Sequence, residues 1–247
     1  MRMNRQPALG VLIFFQKGRI GLIWEGKAMN HINEKCKILT FAVCTLQLAI
    51  LVSGCTAFYV GGEIQKGRMA LLYGDPKVAL AHFQRAAELD PNYVTNFTIL
   101  KQGVWTYVAR ANYTTGNLSE ARKELEQARS KYEDDNVAKL YWGLLLAKDG
   151  DRQRALREME AGLAGLKDWF DYIEQYHADG QFWDPGRPIR SEIQKNIAML
   201  SAREVNWNEL IVGGEWLGRE LEQEIDKARE DQQKEDKWYR DGDGQTD

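Results

Sequence analysis

The chain divides by how its apolar residues are spaced. From Ile38 to Val52 the run ILTFAVCTLQLAILV is continuously apolar apart from Thr40, Thr45 and Gln47, with Lys35 and Lys37 just before it. At about fifteen residues it falls short of the roughly twenty that span a hydrocarbon core, so the pattern predicts an export signal rather than a permanent membrane helix. Beyond it the apolar positions take the three-and-four spacing of helices. Ile189, Ile193, Ile197 and Leu200 mark one face, behind the turn Asp184-Pro185-Gly186-Arg187-Pro188, whose last Pro suits a first helical position. Trp207, Leu210, Leu217, Leu221, Ile225 and Ala228 mark another, predicting a helix from about Val205 to Asp236. The Gly213-Gly214 pair inside it costs about 1 kcal/mol per Gly relative to Ala, which predicts a bend or a close helix approach. No strand-like alternation competes, and the expected class is all-α.

An internal repeat organises the middle of the chain. Aligned on Ala79, Ala121 and Ala155, the sequence has Gly74, Gly116 and Gly150 five residues earlier, and Phe83, Leu125 and Met159 four residues later. Three further on stand the small residues Ala86, Ala128 and Gly162. The Gly serves a tight turn, the small residues let helices approach, and the large ones fill the space between hairpins. This pattern resembles the second helix of the tetratricopeptide repeat. Trp105, Ala109, Gly67 and Gly143 stand at first-helix positions of that repeat, more loosely matched. Ala121 and Ala155 are 34 residues apart, the length of this repeat, whereas Ala79 and Ala121 are 42 apart. The extra residues fall between Asn92 and Gly103, either in a long loop or in an early helix start. The resemblance implies a right-handed α-solenoid of about three helix-turn-helix repeats over residues 60–168. A C-terminal helical region, 169–236, would cap its open end or form a dimer seam, with capping the better fit. Residues 237–247 read as a disordered tail.

Val52-Ser53-Gly54-Cys55 resembles the bacterial lipobox, in which a Cys is diacylated before the signal is cut. The resemblance implies a signal peptide over 29–54, lipidation of Cys55 and an anchor linker over 55–59. Two acyl chains suffice for stable anchoring, at about 0.8 kcal/mol per buried CH₂. Thr56 follows the Cys where an Asp would suggest retention in the inner membrane, so the expected location is the cell envelope, facing the periplasm and towards the outer membrane. Residues 1–28 fit no part of this pattern, and the expectation is that they are an upstream extension, with translation starting at Met29.

Charge sharpens the division. Arg2, Arg5, Lys17, Arg19, Lys27, Lys35 and Lys37 against Glu25 and Glu34 give the first 54 residues +5 of a total of −3, leaving −8 on the rest. A domain this acidic is poorly suited to a phosphate backbone, which excludes nucleic acid as the expected partner. Cys36, Cys44 and Cys55 all precede the helical part, whose core must hold without a disulfide.

Tetratricopeptide solenoids hold partner segments on the surface lined by their first helices. Carried over by repeat position, that implies a partner-binding groove at Arg68 and Arg110, equivalent in the first two repeats, with Thr106, Tyr113 and Lys148. Stacked arginines suit bidentate pairing with carboxylates. The expected function is a membrane-anchored adaptor or scaffold that binds other proteins, and not an enzyme. One alternative is the lipoprotein component of a solute-uptake or envelope-assembly system. Another is an envelope enzyme acting on glycan through the Asp168–Trp183 stretch, where Asp168, Asp171, Glu174 and His177 share a helical face beside Trp169, Phe170, Tyr172, Tyr176 and Trp183. No metal-ligand cluster, nucleophile motif or phosphate loop is present in the sequence, so no cofactor, metal or catalytic residue is expected. A homo-oligomer through the last helix is a further expectation for partners.

Overall fold

A computed structural model describes residues 57–95, 100–176, 180 and 182–242. The upstream extension, the signal segment, Cys55, His177 and the last five residues of the tail lie outside the described residues. Within them the chain is all-α, and its only strand-like feature is an isolated antiparallel bridge between Val94 and Gly103. The helices are α1 (57–72), α2 (Pro76–Leu89), α3 (Val104–Thr114), α4 (Leu118–Lys131), α5 (Asn136–Lys148), α6 (Arg152–Tyr176), α7 (Pro188–Leu200) and α8 (Trp207–Gly242).

The first six helices form three consecutive hairpins that close on one turn used three times. Gly74, Gly116 and Gly150 sit at φ of +80°, +81° and +85°, a region a side chain would strain. In each turn the N–H of the residue after the Gly reaches five residues back, Asp75 to Ala70 O, Asn117 to Asn112 O and Asp151 to Leu146 O, at 2.8, 2.9 and 3.0 Å. The Gly N–H reaches three residues back, to Leu71, Tyr113 and Ala147. These two bonds satisfy carbonyls that the ending helix leaves free.

The aligned small and large residues meet across each hairpin. Ala79, Ala121 and Ala155 are fully buried, as are Phe83, Leu125 and Met159. A Cβ on Gly67 would overlap the Phe83 ring, and one on Gly143 would overlap Met159, so the first helix of each of these hairpins approaches its second without a side chain between. The equivalent contact in the middle hairpin has room for the methyl of Ala109, itself fully buried.

The extra residues of the 42-residue spacing fall between the end of α2 and the start of α3 at Val104, with 96–99 outside the described residues. Helix α2 ends at Leu89, and Thr95 N bonds Gln102 O and Val104 N bonds Tyr93 O, both at 2.9 Å, where α3 begins. Gly103 is pressed against the Tyr132 ring, which leaves no space for a Cβ. Asp135 ties this junction to the next hairpin: it caps α5 by accepting from Ala138 N (2.9 Å) and also accepts from Gly103 N (3.0 Å) and the Thr106 hydroxyl (2.6 Å).

Two expected boundaries move. Helix α6 runs unbroken through 168, because Leu166, Phe170 and Ile173 continue the face already buried at Leu163. Helix α8 extends to Gly242, so residues 237–242 are helical rather than a disordered tail. Pro188 opens α7 as expected, and the Asp184 carboxylate accepts from Ile189 N and Arg190 N at its start.

Helix α8 does more than close an open end. Over 36 residues, about 54 Å at the helical rise, it packs along α5 and α7 and reaches back to the first hairpin. Leu210, Leu217, Leu221, Ile225 and Ala228 are buried, so the apolar face that could have formed a dimer seam is spent within its own chain. Of the two outcomes expected for the Gly213-Gly214 pair, a bend or a close approach, the pair serves close approach: Gly213 lies against Glu192 and Asn196 of α7, and Gly214 against Leu144 of α5.

Candidate functional site

Four of the five residues assigned to a partner groove, Arg68, Arg110, Tyr113 and Lys148, come together on one surface, and α8 lies on it. Arg68 in α1 donates through Nε to Glu222 Oε2 at 2.5 Å and pairs with Asp226 at 3.1 Å. Arg110 in α3, the equivalent residue one hairpin on, donates to the other Glu222 carboxylate oxygen and, at 2.7 Å, to the Gly218 carbonyl. Gln102 accepts a further bond from Arg110 at 3.0 Å, and the guanidinium carbon stands 5.2 Å from the centre of the Tyr141 ring. One turn and more towards the start of α8, Glu215 accepts from the Tyr113 hydroxyl and pairs with Lys148 Nζ, both at 2.8 Å. Lys148 in turn sits 4.4 Å over the Tyr113 ring.

The electrostatics of this cluster follow from its burial. Arg68, Arg110 and Glu222 are 3%, 2% and 1% exposed. Burial pushes the Glu222 carboxyl up, but Arg110 and Arg68 outweigh it and hold the group below the ordinary glutamate value. The pairing likewise keeps Arg68 charged against the cost of desolvation. Such a cluster contributes little net stability compared with apolar packing of the same volume, yet removing one member is costly.

Thr106 departs from the assignment. Its hydroxyl turns to Asp135 and joins α3 to the cap of α5, a structural tie rather than part of the surface facing α8. The sequence reading missed Glu215, Glu222 and Asp226, placed among charges of the C-terminal helix. Their signal was present: 215 and 222 are a heptad apart, interleaved with the apolar residues that α8 buries, and opposite in sign to the arginines.

The aromatic-acidic stretch is taken up in part by packing and ion pairs, while Tyr172 and Tyr176 are exposed. Trp183 is 5% exposed and meets Trp169 edge-on at 5.8 Å, and Trp169 meets Phe170 edge-on at 5.5 Å. Asp171 pairs with Lys167 at 2.7 Å and Glu174 with Arg187 at 2.9 Å. Asp168 is exposed beside a shallow depression of about 630 Å³ that Trp169, Tyr172 and Lys101 also line. Among the described residues no group of three or more His, Cys, Asp or Glu could hold a metal, and no helix is long and apolar enough to cross a membrane. Comparison of the chain with protein-family models, with curated proteins and with solved structures finds no match.

Proposed function

We propose that the protein is a membrane-anchored adaptor, an α-solenoid of three tetratricopeptide-like repeats whose groove binds helices of other proteins and is held here by its own α8. One observation carries the reading: equivalent arginines on successive first helices, Arg68 and Arg110, grip a single glutamate of an amphipathic helix laid across them. That is helix-in-groove recognition with a charged register mark, performed within one chain. The repeated turn geometry supports the repeat assignment, and the lipobox supports anchoring at Cys55 in the envelope, facing the periplasm.

A partner in this reading is a protein with an apolar helical stripe carrying a carboxylate, since it must replace the contacts of Glu222 and Leu221. The test is photocrosslinking in the native envelope from a probe at position 148, comparing the natural chain with Glu222→Gln. The expected result is an attached protein in both, several-fold more of it in the variant. No attached protein in either overturns the adaptor reading.

A further inference from the structure

A second lipid contact follows from the way α1 and α8 run. Arg68 pairs with Glu222 and Asp226, Gln65 bonds Asp226, and Arg229 bonds Gln65. Steps back along α1 are thus matched by steps forward along α8, so the two helices are antiparallel. Arg229 then shares a cavity of about 380 Å³ with Phe58, Gly61 and Gly62 near the start of α1. Extended at 1.5 Å per residue, α8 carries Trp238 roughly 5 Å beyond the level of Ala57. Cys55 stands two residues before Ala57 in the sequence.

That end of the molecule is aromatic and open. Phe58 is 81% exposed, Tyr59 64% and Trp238 70%; Tyr73, Tyr172 and Tyr176 are also exposed, elsewhere on the molecule. The cavity between α1 and α8 is walled by Ile64, Tyr93 and the bare backbone of two glycines, and a Cβ on Gly62 would meet nothing within 4 Å. Charge does not explain the patch, since Lys234, Lys237 and Arg240 are matched by Glu235, Asp236 and Asp241. Amphipathic rings gathered at one end suit the boundary between headgroups and acyl chains, where Trp and Tyr sit with the ring in hydrocarbon and the polar atom in water.

We propose that Phe58, Tyr59 and Trp238 form a lipid-facing surface that enters the headgroup layer of the bilayer to which Cys55 is anchored. The inference rests on that anchoring. Lipid on Cys55 alone leaves the body free to swing; with the start of α1 and the end of α8 seated together, the body is held at a second point.

The test uses the full chain reconstituted into phosphatidylcholine vesicles whose acyl chains carry bromine, which quenches nearby tryptophan. With eight tryptophans in the chain, the informative quantity is the difference between the natural protein and Trp238→Phe. The quenchable part of the fluorescence is expected to fall by at least half in Trp238→Phe, and to return when Phe58→Trp is added. Far-ultraviolet circular dichroism unchanged among the three shows that they are folded. Protein that floats with the vesicles but shows equal quenching with and without Trp238 overturns the inference and leaves the anchor standing. Protein that fails to float overturns the anchor reading, and this inference with it.

Discussion

Gly218 of α8 lies so close to Tyr141 of α5 that a Cβ there would overlap the phenol oxygen. Tyr141 cannot easily yield: it is 5% exposed, meets Tyr113 edge-on at 5.4 Å and carries the Arg110 guanidinium on its face. Overpacking of this kind costs about 1–3 kcal/mol, against the roughly 1 kcal/mol that Ala gains over Gly in a helix. Gly218→Ala is expected to lower stability by about 1–2 kcal/mol, read as a lower urea midpoint. A raised midpoint would mean that α8 does not approach α5 so closely.

The buried cluster predicts opposite outcomes for partial and complete removal. Glu222→Gln leaves the buried Arg110 guanidinium without a carboxylate and Arg68 with Asp226 alone, and is expected to cost about 3–5 kcal/mol. The triple change Arg68→Met, Arg110→Met, Glu222→Leu removes both signs together and should unfold at no lower urea concentration than the natural protein. If the triple variant is as unstable as Glu222→Gln, an unpaired buried charge is not the source of the loss.

Stability against pH has two arms of opposite sign. Glu222 has its folded value lowered, so its contribution is complete above the unfolded glutamate value of about 4.3 and is lost as pH falls through the folded value. Glu224, Asp135 and Glu124 are raised, in each case chiefly by burial. Their contribution is complete below the unfolded carboxylate values and is lost as pH rises through the folded ones. The expected profile has its maximum in mildly acidic buffer, and Glu224→Gln should flatten the arm on the neutral side. Urea titrations at closely spaced pH check this; an unchanged neutral arm would remove Glu224 from the account.

Two glycines separate conformation from space. Gly116 at φ +81° has nothing within 4 Å of an added Cβ, so Gly116→Ala tests backbone strain alone and should cost about 1–2 kcal/mol. Gly62, equally open but inside α1, should gain up to about 1 kcal/mol when changed to Ala. Thermal unfolding of the pair is the measurement, and equal shifts of the same sign would contradict the assigned conformations.

Acylation has a direct readout. Radiolabelled palmitate incorporated by the natural chain is expected to be lost in Cys55→Ala; label retained in that variant would place any lipid elsewhere.

Local features of the fold were readable because they repeat within a few residues. The glycine at each turn, the alanine five residues on and the large residue after it describe a hairpin almost completely, since turn geometry and close packing are short-range requirements. Pro188 at the start of α7 and the apolar face of α8 were legible for the same reason. Misplaced boundaries at 168 and 237 reflect the weakness of end signals where no Gly or Pro stops a helix. The candidate site was half legible: repeat position brought Arg68 and Arg110 to one surface, and charge chemistry named a carboxylate as what they take.

What one dimension could not contain was whose carboxylate it would be. Glu222 is 154 residues from Arg68 and 112 from Arg110, and nothing in local spacing relates them. Helix class, turn positions and charge signs are set by neighbours along the chain, where a residue type has a fixed consequence. The seat of α8 is set by the packing of Gly214 and Gly218 on α5 and by the pairing of Arg68 and Arg110 with Glu222 and Asp226, conditions that exist only once the hairpins have packed together. The sequence by itself determined an all-α chain built from three like hairpins and a long amphipathic helix. Only the tertiary structure decided that this helix occupies the surface the hairpins offer.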